Sequence, residues 1–327
     1  MNSNKVLQSL QEKNIITSEQ STFISEYEST KPFSIHYELR TLLYLGITML
    51  TGGLGILIYQ NIDTIGHGVI VGLITLVTLG CFGFAYLKRS PFTWEEVKNP
   101  SQFADFALLL GCMMFLILEV YLQFQYNLFG MKYGLVTILP AIIFIPAAYF
   151  FDHRGVLSIG LTALASWIGV SIAPLSVLSQ NDFSAPNFLF TAIALGLILS
   201  GVGLFSEYKN LKKHFSFTYL LLGSNLTLIA TMIGMFNHAN WFIYMVIALA
   251  LCVGLFLYAR KTQSYIFLLM GVVYGYIAFS YLLFKILELI NSETLWLSAM
   301  YYFLISGVGV VMFLINIKKI LGVGKNI

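Results

Sequence analysis

Ten stretches of about twenty apolar residues recur along this chain, at 39–59, 67–87, 104–124, 132–151, 155–177, 187–206, 217–236, 241–259, 265–286 and 295–316. Crossing about 30 Å of hydrocarbon takes roughly 20 apolar residues in a helix. A backbone in lipid has no water to bond to, so its amides must pair within the segment, and the helix is the expected solution. Only 10% of the residues are charged, against about 25% in a soluble domain. So few charges cannot cover a water-facing surface. The expected fold is therefore all-α, a polytopic transmembrane helical bundle of about ten spans, with the lipid bilayer as its first partner.

The connections between the stretches set the orientation. Short cytoplasmic loops are enriched in Lys and Arg. Lys5, Lys13, Lys31 and Arg40 precede the first span, Lys88, Arg89 and Lys98 follow the second, and Arg154 follows the fourth. Lys209, Lys212 and Lys213 follow the sixth, Arg260 and Lys261 the eighth, and Lys318, Lys319 and Lys325 the tenth. Sixteen of the eighteen basic residues thus fall on one side. Asp63, Asp182, Glu288 and Glu293 lie on the other, with Lys132 and Lys285 near them. One helix more or fewer would scramble this pattern, so both termini are expected in the cytoplasm. The organisation expected is a cytoplasmic helical pair at 1–38, the bundle at 39–316 and a cytoplasmic tail at 317–327. The shortest connection, Asp152-His153-Arg154, leaves open whether the two spans it joins are fully independent.

The polar segment Met1 to Glu38 lacks the apolar core and small-residue cleavage site of a signal peptide, so the first span is expected to remain in the mature protein. Within it, Val6, Leu7 and Leu10 share a helical face, Lys13-Asn14-Ile15 reads as a joint, and Thr17 followed by Gln20 resembles a capping box. Phe23, Ile24 and Tyr27 continue a second helical face. Two short helices of this size bury little core by themselves, so residues 1–35 are expected to pack on the cytoplasmic loops, on the membrane surface or on a cytoplasmic protein partner.

Ser200-Gly201-Val202-Gly203 recurs as Ser306-Gly307-Val308-Gly309, with Gly52-Gly53-Leu54-Gly55 as a looser cousin. Small residues let helices approach closely in lipid. Two halves of five spans would be inverted with respect to each other, an arrangement frequent in secondary transporters.

The pattern Leu10-Gln11-Glu12-Lys13-Asn14-Ile15-Ile16-Thr17-Ser18-Glu19-Gln20 precedes a Gly-rich first span, with Gly46, Gly52, Gly53 and Gly55, that ends in Gln60-Asn61-Ile62-Asp63. Over residues 5 to 75 this resembles the prokaryotic membrane proteins grouped as domain of unknown function 2157. In that family the first span typically ends in an Asn-Trp pair, and Ile62 stands here where the Trp would be. The resemblance implies a multi-pass membrane topology and no particular chemistry. It marks Gly52, Gly53, Gly55, Gln60, Asn61 and Asp63 as motif residues.

Ionisable groups inside a span are costly and therefore worth weighing. Glu119 lies in the third span, with Gln123 one turn later on the same face and Tyr121, Gln125, Tyr126 and Asn127 beside them. Glu119 is a candidate to bind a cation or proton and Gln123 to orient a polar solute; the plain alternative is a carboxylate near enough to the interface to meet water. Asn225, between Ser224 and Thr227, is either a third binding group or an interhelical hydrogen-bonding residue. Pro140, Pro146 and Pro174 either break helices beside a site or sit in ordinary spans. Gln60, Asn61 and Asp63 either shape an outer mouth or cap the first helix. Lys285 and Glu288 read as a helix-surface ion pair. Tyr274, Tyr276 and Tyr281 either line a path or pack in the ordinary way.

No His-Glu-x-x-His, Gly-x-Ser-x-Gly or phosphate-binding loop occurs. No catalytic residue, metal ligand set or cofactor is assigned, and the chain is not expected to be an enzyme. No basic run marks a nucleic-acid partner. Cys81, Cys112 and Cys252 read as buried thiols. Two readings lead: a small-solute transporter or permease-like protein of the cytoplasmic membrane, its solute unknown, or a non-transporting scaffold or sensor that recruits a partner through its amino-terminal helices; a membrane enzyme acting on lipid or glycan is the least favoured third.

Overall fold

A computed structural model describes residues 11, 15–30, 36–97, 101–130, 132–172, 183–290 and 295–322. These fall into two compact units, 1–57 and 58–327. Among the described residues the chain is helical throughout, without a strand.

In the first unit, α1 (Ser18–Thr30) begins at the expected capping box. The Thr17 amide donates to Gln20 Oε1 at 3.0 Å and the Gln20 amide to Thr17 Oγ1 at 3.3 Å. Two backbone donors that a helix start leaves orphaned are thereby satisfied. The helix expected before it lies outside the described residues. The helix α2 (His36–Ile65) carries the first expected span and crosses the division between the units. It runs through Gln60, Asn61, Ile62 and Asp63 instead of ending there. The break falls at Gly66, whose φ of 82° is open to glycine and strained for other residues.

Among the described residues the second unit holds nine further α-helices: α3 (His67–Leu87), α4 (Gln102–Tyr126), α5 (Tyr133–Phe151), α6 (Arg154–Ile172), α7 (Pro186–Lys209), α8 (Ser216–Asn237), α9 (Trp241–Thr262), α10 (Tyr265–Ile290) and α11 (Leu295–Leu321). Among the described residues nine helices are long and apolar enough to cross a membrane, and Thr41–Leu57 within α2 is a shorter apolar stretch. The apolar pattern thus located each of these nine helices. Pro140 and Pro146 sit inside an unbroken α5; Pro174 lies outside the described residues. Asp152-His153-Arg154 joins two complete helices. Asp152 ends α5 in the left-handed region at φ 58°, a conformation that Asp and Asn tolerate better than most residues. His153 Nδ1 then accepts the Val156 amide at 3.1 Å, capping the start of α6.

Chain neighbours pack as antiparallel hairpins, α3 with α4, α5 with α6, α7 with α8 and α9 with α10. The tightest contact is α7 on α8, where Gly196, Ser200 and Gly203 meet Ser216, Gly223 and Thr227. A Cβ at Gly196 would stand 2.5 Å from the Gly223 carbonyl, so the backbones touch. One apolar core gathers Leu189, Leu228, Met235, Ala248, Phe267 and Leu268 from α7–α10. A second gathers Leu108, Cys112, Phe144, Val156 and Leu157 from α4–α6 with Phe215 beside α8. By contrast, the outward faces carry large apolar side chains such as Leu76, Phe124, Ile198 and Ile315. In water such a surface would drive association, and in a bilayer it is the ordinary face of a span.

Candidate functional site

Polar groups collect at the two opposite ends of the second unit. At the end where α3 begins and α4 finishes, His67 Nδ1 lies 2.8 Å from the Tyr121 hydroxyl and the Gln125 amide nitrogen 3.1 Å from His67 Nε2. The imidazole is thus held at both ring nitrogens, by the phenol on one side and the Gln125 side-chain amide on the other. Tyr121 itself is buried.

Glu119 lies two residues further into the bundle. It is 4% exposed, and neither carboxylate oxygen has a hydrogen-bond partner among the described residues. It sits seven residues before the end of α4, roughly 10 Å along the axis from that end. Buried carboxylates are normally paired, so this one is exceptional.

Gln123 is one turn beyond Glu119, but its side chain turns to the helix end. Its Nε2 donates to Asn127 Oδ1 at 3.1 Å and to the Gly130 carbonyl at 3.0 Å, and its Oε1 accepts the Phe129 amide at 2.9 Å. It ties down the loop that follows α4. It also lines a groove of about 410 Å³ with Val120, Phe124, Tyr133, Val136 and Thr137. Glu119 is not among that groove's lining residues.

Asn225 stands elsewhere, on α8. Its Nδ2 donates to the Leu221 carbonyl at 3.0 Å and contacts Met270 Sδ at 3.5 Å, while its Oδ1 accepts the Tyr274 hydroxyl at 3.1 Å. Asn225 thus ties α8 to α10. No described contact joins it to Glu119 or Gln123. Tyr276 and Ser280 of α10 bond Ser306 and Tyr302 of α11, and Tyr281 packs on Trp241 and Phe236. Lys285 and Glu288 form the expected surface pair at 3.0 Å. At Gly52, Gly53 and Gly55 an added Cβ would meet nothing within 4 Å. Gln60 is exposed, and the side chains of Asn61 and Asp63 lie outside the described ones.

The opposite end holds a cluster that reading the sequence did not single out. Lys212, 1% exposed, places its ammonium 2.9 Å from Asp152 Oδ1. His214 Nε2 approaches the same oxygen to 2.6 Å. The other oxygen, Asp152 Oδ2, accepts the Val97 amide at 2.6 Å. Lys212 also donates from Nζ to the Glu95 carbonyl at 3.3 Å and from its backbone to the Trp94 carbonyl at 2.8 Å. A further face of the ammonium looks onto the Phe92 ring at 5.3 Å. Arg154 and Glu96 make an exposed pair at 2.8 Å above it. One carboxylate therefore binds three connections, those after α3, α5 and α7. Sequence signals for it exist only in pieces: an Asp at a helix end, and a Lys counted among the loop charges. Nothing in the spacing pairs positions sixty residues apart. This cluster is chemically a staple, since its charges neutralise one another inside the fold. No group of three or more metal-ligating side chains occurs among the described residues.

No curated protein and no solved structure matches the chain. Residues 8–157, from the polar amino-terminal segment to the first turn of α6, match the sequence model of the family described as predicted membrane protein (DUF2157), the family that residues 5 to 75 resemble on their motifs.

Proposed function

We propose that this multi-pass membrane protein is permease-like and passes a small solute or ion across the cytoplasmic membrane, with Glu119 as the group that binds it. In this reading the chain crosses ten times with both termini inside, and the Asp152 staple faces the cytoplasm. The observation that carries the reading is Glu119, a carboxylate in an apolar span, sealed from solvent and without a partner among the described residues. A group so costly to bury is kept where it serves an ion or proton path. Gln123 and its groove lie one turn nearer the outer surface, where a polar solute would first meet the protein. Asn225, bonded to Tyr274, is better suited to holding α8 against α10 than to binding.

The test is flux. Purified protein reconstituted in liposomes is challenged with gradients of H⁺, Na⁺ and K⁺, followed by internal dyes. The expected result is flux above that of empty liposomes that Glu119→Gln abolishes. No flux in any of the three gradients, from protein shown to be folded and inserted, overturns the reading and returns the search to residues 1–35 and a partner.

A further inference from the structure

Resting on the permease reading, we infer that the ligand of Glu119 is a proton, not a metal cation or a solute, and that it is exchanged through the α3–α4 end beside His67. Space and donors decide between the three. Both Glu119 oxygens are sealed from a water-sized sphere, and neither touches another polar atom among the described residues. A metal ion needs a shell of several oxygen or nitrogen ligands. No group of three metal-ligating side chains occurs among the described residues. A solute needs a cavity, and the groove that Gln123 lines does not include Glu119. A proton needs neither shell nor room, because it forms a covalent O–H bond on the carboxylate itself. An unpaired carboxylate taken out of water is stabilised by that bond more than by any other change open to it.

The route is proposed toward the nearer end of α4, where Tyr121 and His67 stand on a different face of the helix from Glu119. Tyr121, two residues on, is buried and bonded to His67, which is half-buried at the first residue of α3. Gln125 and Tyr121 bracket the imidazole, one at each ring nitrogen. The other titratable groups at this end are Tyr126 on α4 itself, and Lys132 and Tyr133 at the start of α5; the described part of α6 contributes none there. Lys132 is exposed, and the sealed Glu119 carboxylate has neither it nor any other described group as a partner. Each turnover moves one proton: an O–H bond of hydronium at the aqueous end breaks as the Glu119 O–H bond forms, and on release the Glu119 O–H breaks as water takes the proton back.

Infrared spectroscopy of the full chain in lipid vesicles, wild type against Glu119→Gln, reads this directly and does not depend on flux. The amide is close in shape to the acid, and Glu119→Asp serves as a second variant that keeps the carboxyl. The expected result is a protonated-carboxyl band that is lost in Glu119→Gln, retained with a shift in Glu119→Asp, responsive to pH, and indifferent to Na⁺ or K⁺ at fixed pH. His67→Ala should leave the band in place and slow its exchange in heavy water. Two outcomes overturn the inference: a Glu119 band that moves on adding Na⁺ or K⁺ at fixed pH, or a Glu119 carboxylate that stays ionised across the range. If Na⁺ or K⁺ flux is lost in Glu119→Gln while the proton band is absent, the permease reading stands and the proton does not. If the band behaves as expected and no flux occurs, the proton site stands and the permease reading falls.

Discussion

At the scale of single residues, the contrast between Asp152 and Glu119 organises the molecule. Both are buried acids, but Asp152 meets a lysine, a histidine and a backbone amide, while Glu119 meets no polar partner among the described residues. Removing one member of a buried ion pair strands the other, at a cost of about 3–5 kcal/mol. We expect Asp152→Leu to lower thermal stability sharply, because Lys212 and His214 are then left buried without their anion. The pair replacement Asp152→Leu with Lys212→Met should lose much less than the two single changes summed, since the lysine's charge is then not stranded. Melting curves of the wild type, the two single variants and the double variant in the same lipid check this; additive losses would show that the charges do not act together. Glu119→Gln should not destabilise, for it removes no interaction. The sequence made Glu119 visible because one acid in an apolar stretch is conspicuous. It hid the role of Asp152, because an acid in a loop is ordinary. It also suggested a shared face for Glu119 and Gln123, which is right for the backbone. The side chains part company because Gln123 stands close enough to the helix end to satisfy the exposed amide and carbonyls of the following loop.

At the scale of elements, hydropathy located the helices and could not tell which pairs would touch most closely. The sequence Ser-Gly-Val-Gly occurs twice and does two different things. On α7, Ser200 and Gly203 lie against α8, whereas Gly307 and Gly309 on α11 meet nothing within 4 Å. A repeated word of small residues permits close approach, but a partner must be positioned to use it, and that depends on the fold as a whole. The α7–α8 contact yields a sharp comparison. Gly196→Ala and Gly223→Ala each drive a methyl group into the facing backbone, and the helices must part. Overpacking of this kind costs about 1–3 kcal/mol. Gly201→Ala, one face away with open space around it, should be neutral or slightly stabilising through helix propensity. Equal losses at all three positions in thermal unfolding would contradict the contact. Turn chemistry was legible where it was local, as at Thr17 and Gln20. It misled at Gln60 to Asp63, where residues that favour turns lie inside α2 and the glycine at 66 makes the break.

At the scale of the whole molecule, the family match covers residues 8–157 and so includes Glu119 and Asp152. Lys212, His214 and Asn225 lie beyond it. Two polar ends follow from the helix order, with the His67–Tyr121–Gln125 group at one and the Asp152 staple at the other. Which end faces the cytoplasm is a matter of charge: in the ten-span reading of the sequence, sixteen of the eighteen basic residues fall on the side proposed to be cytoplasmic. Proton entry and solute access both depend on that assignment and on an even number of crossings. The measurement that tests it most directly is labelling of single cysteines in intact cells with a membrane-impermeant maleimide, in a chain whose Cys81, Cys112 and Cys252 are replaced by alanine. Cysteines introduced at Ser3, Lys98, Lys209 and Lys325 should be protected until the membrane is opened, and those introduced at Lys132 and Asn240 should label at once. Labelling at positions 3 and 325 from opposite sides would mean an odd number of crossings and would contradict the account.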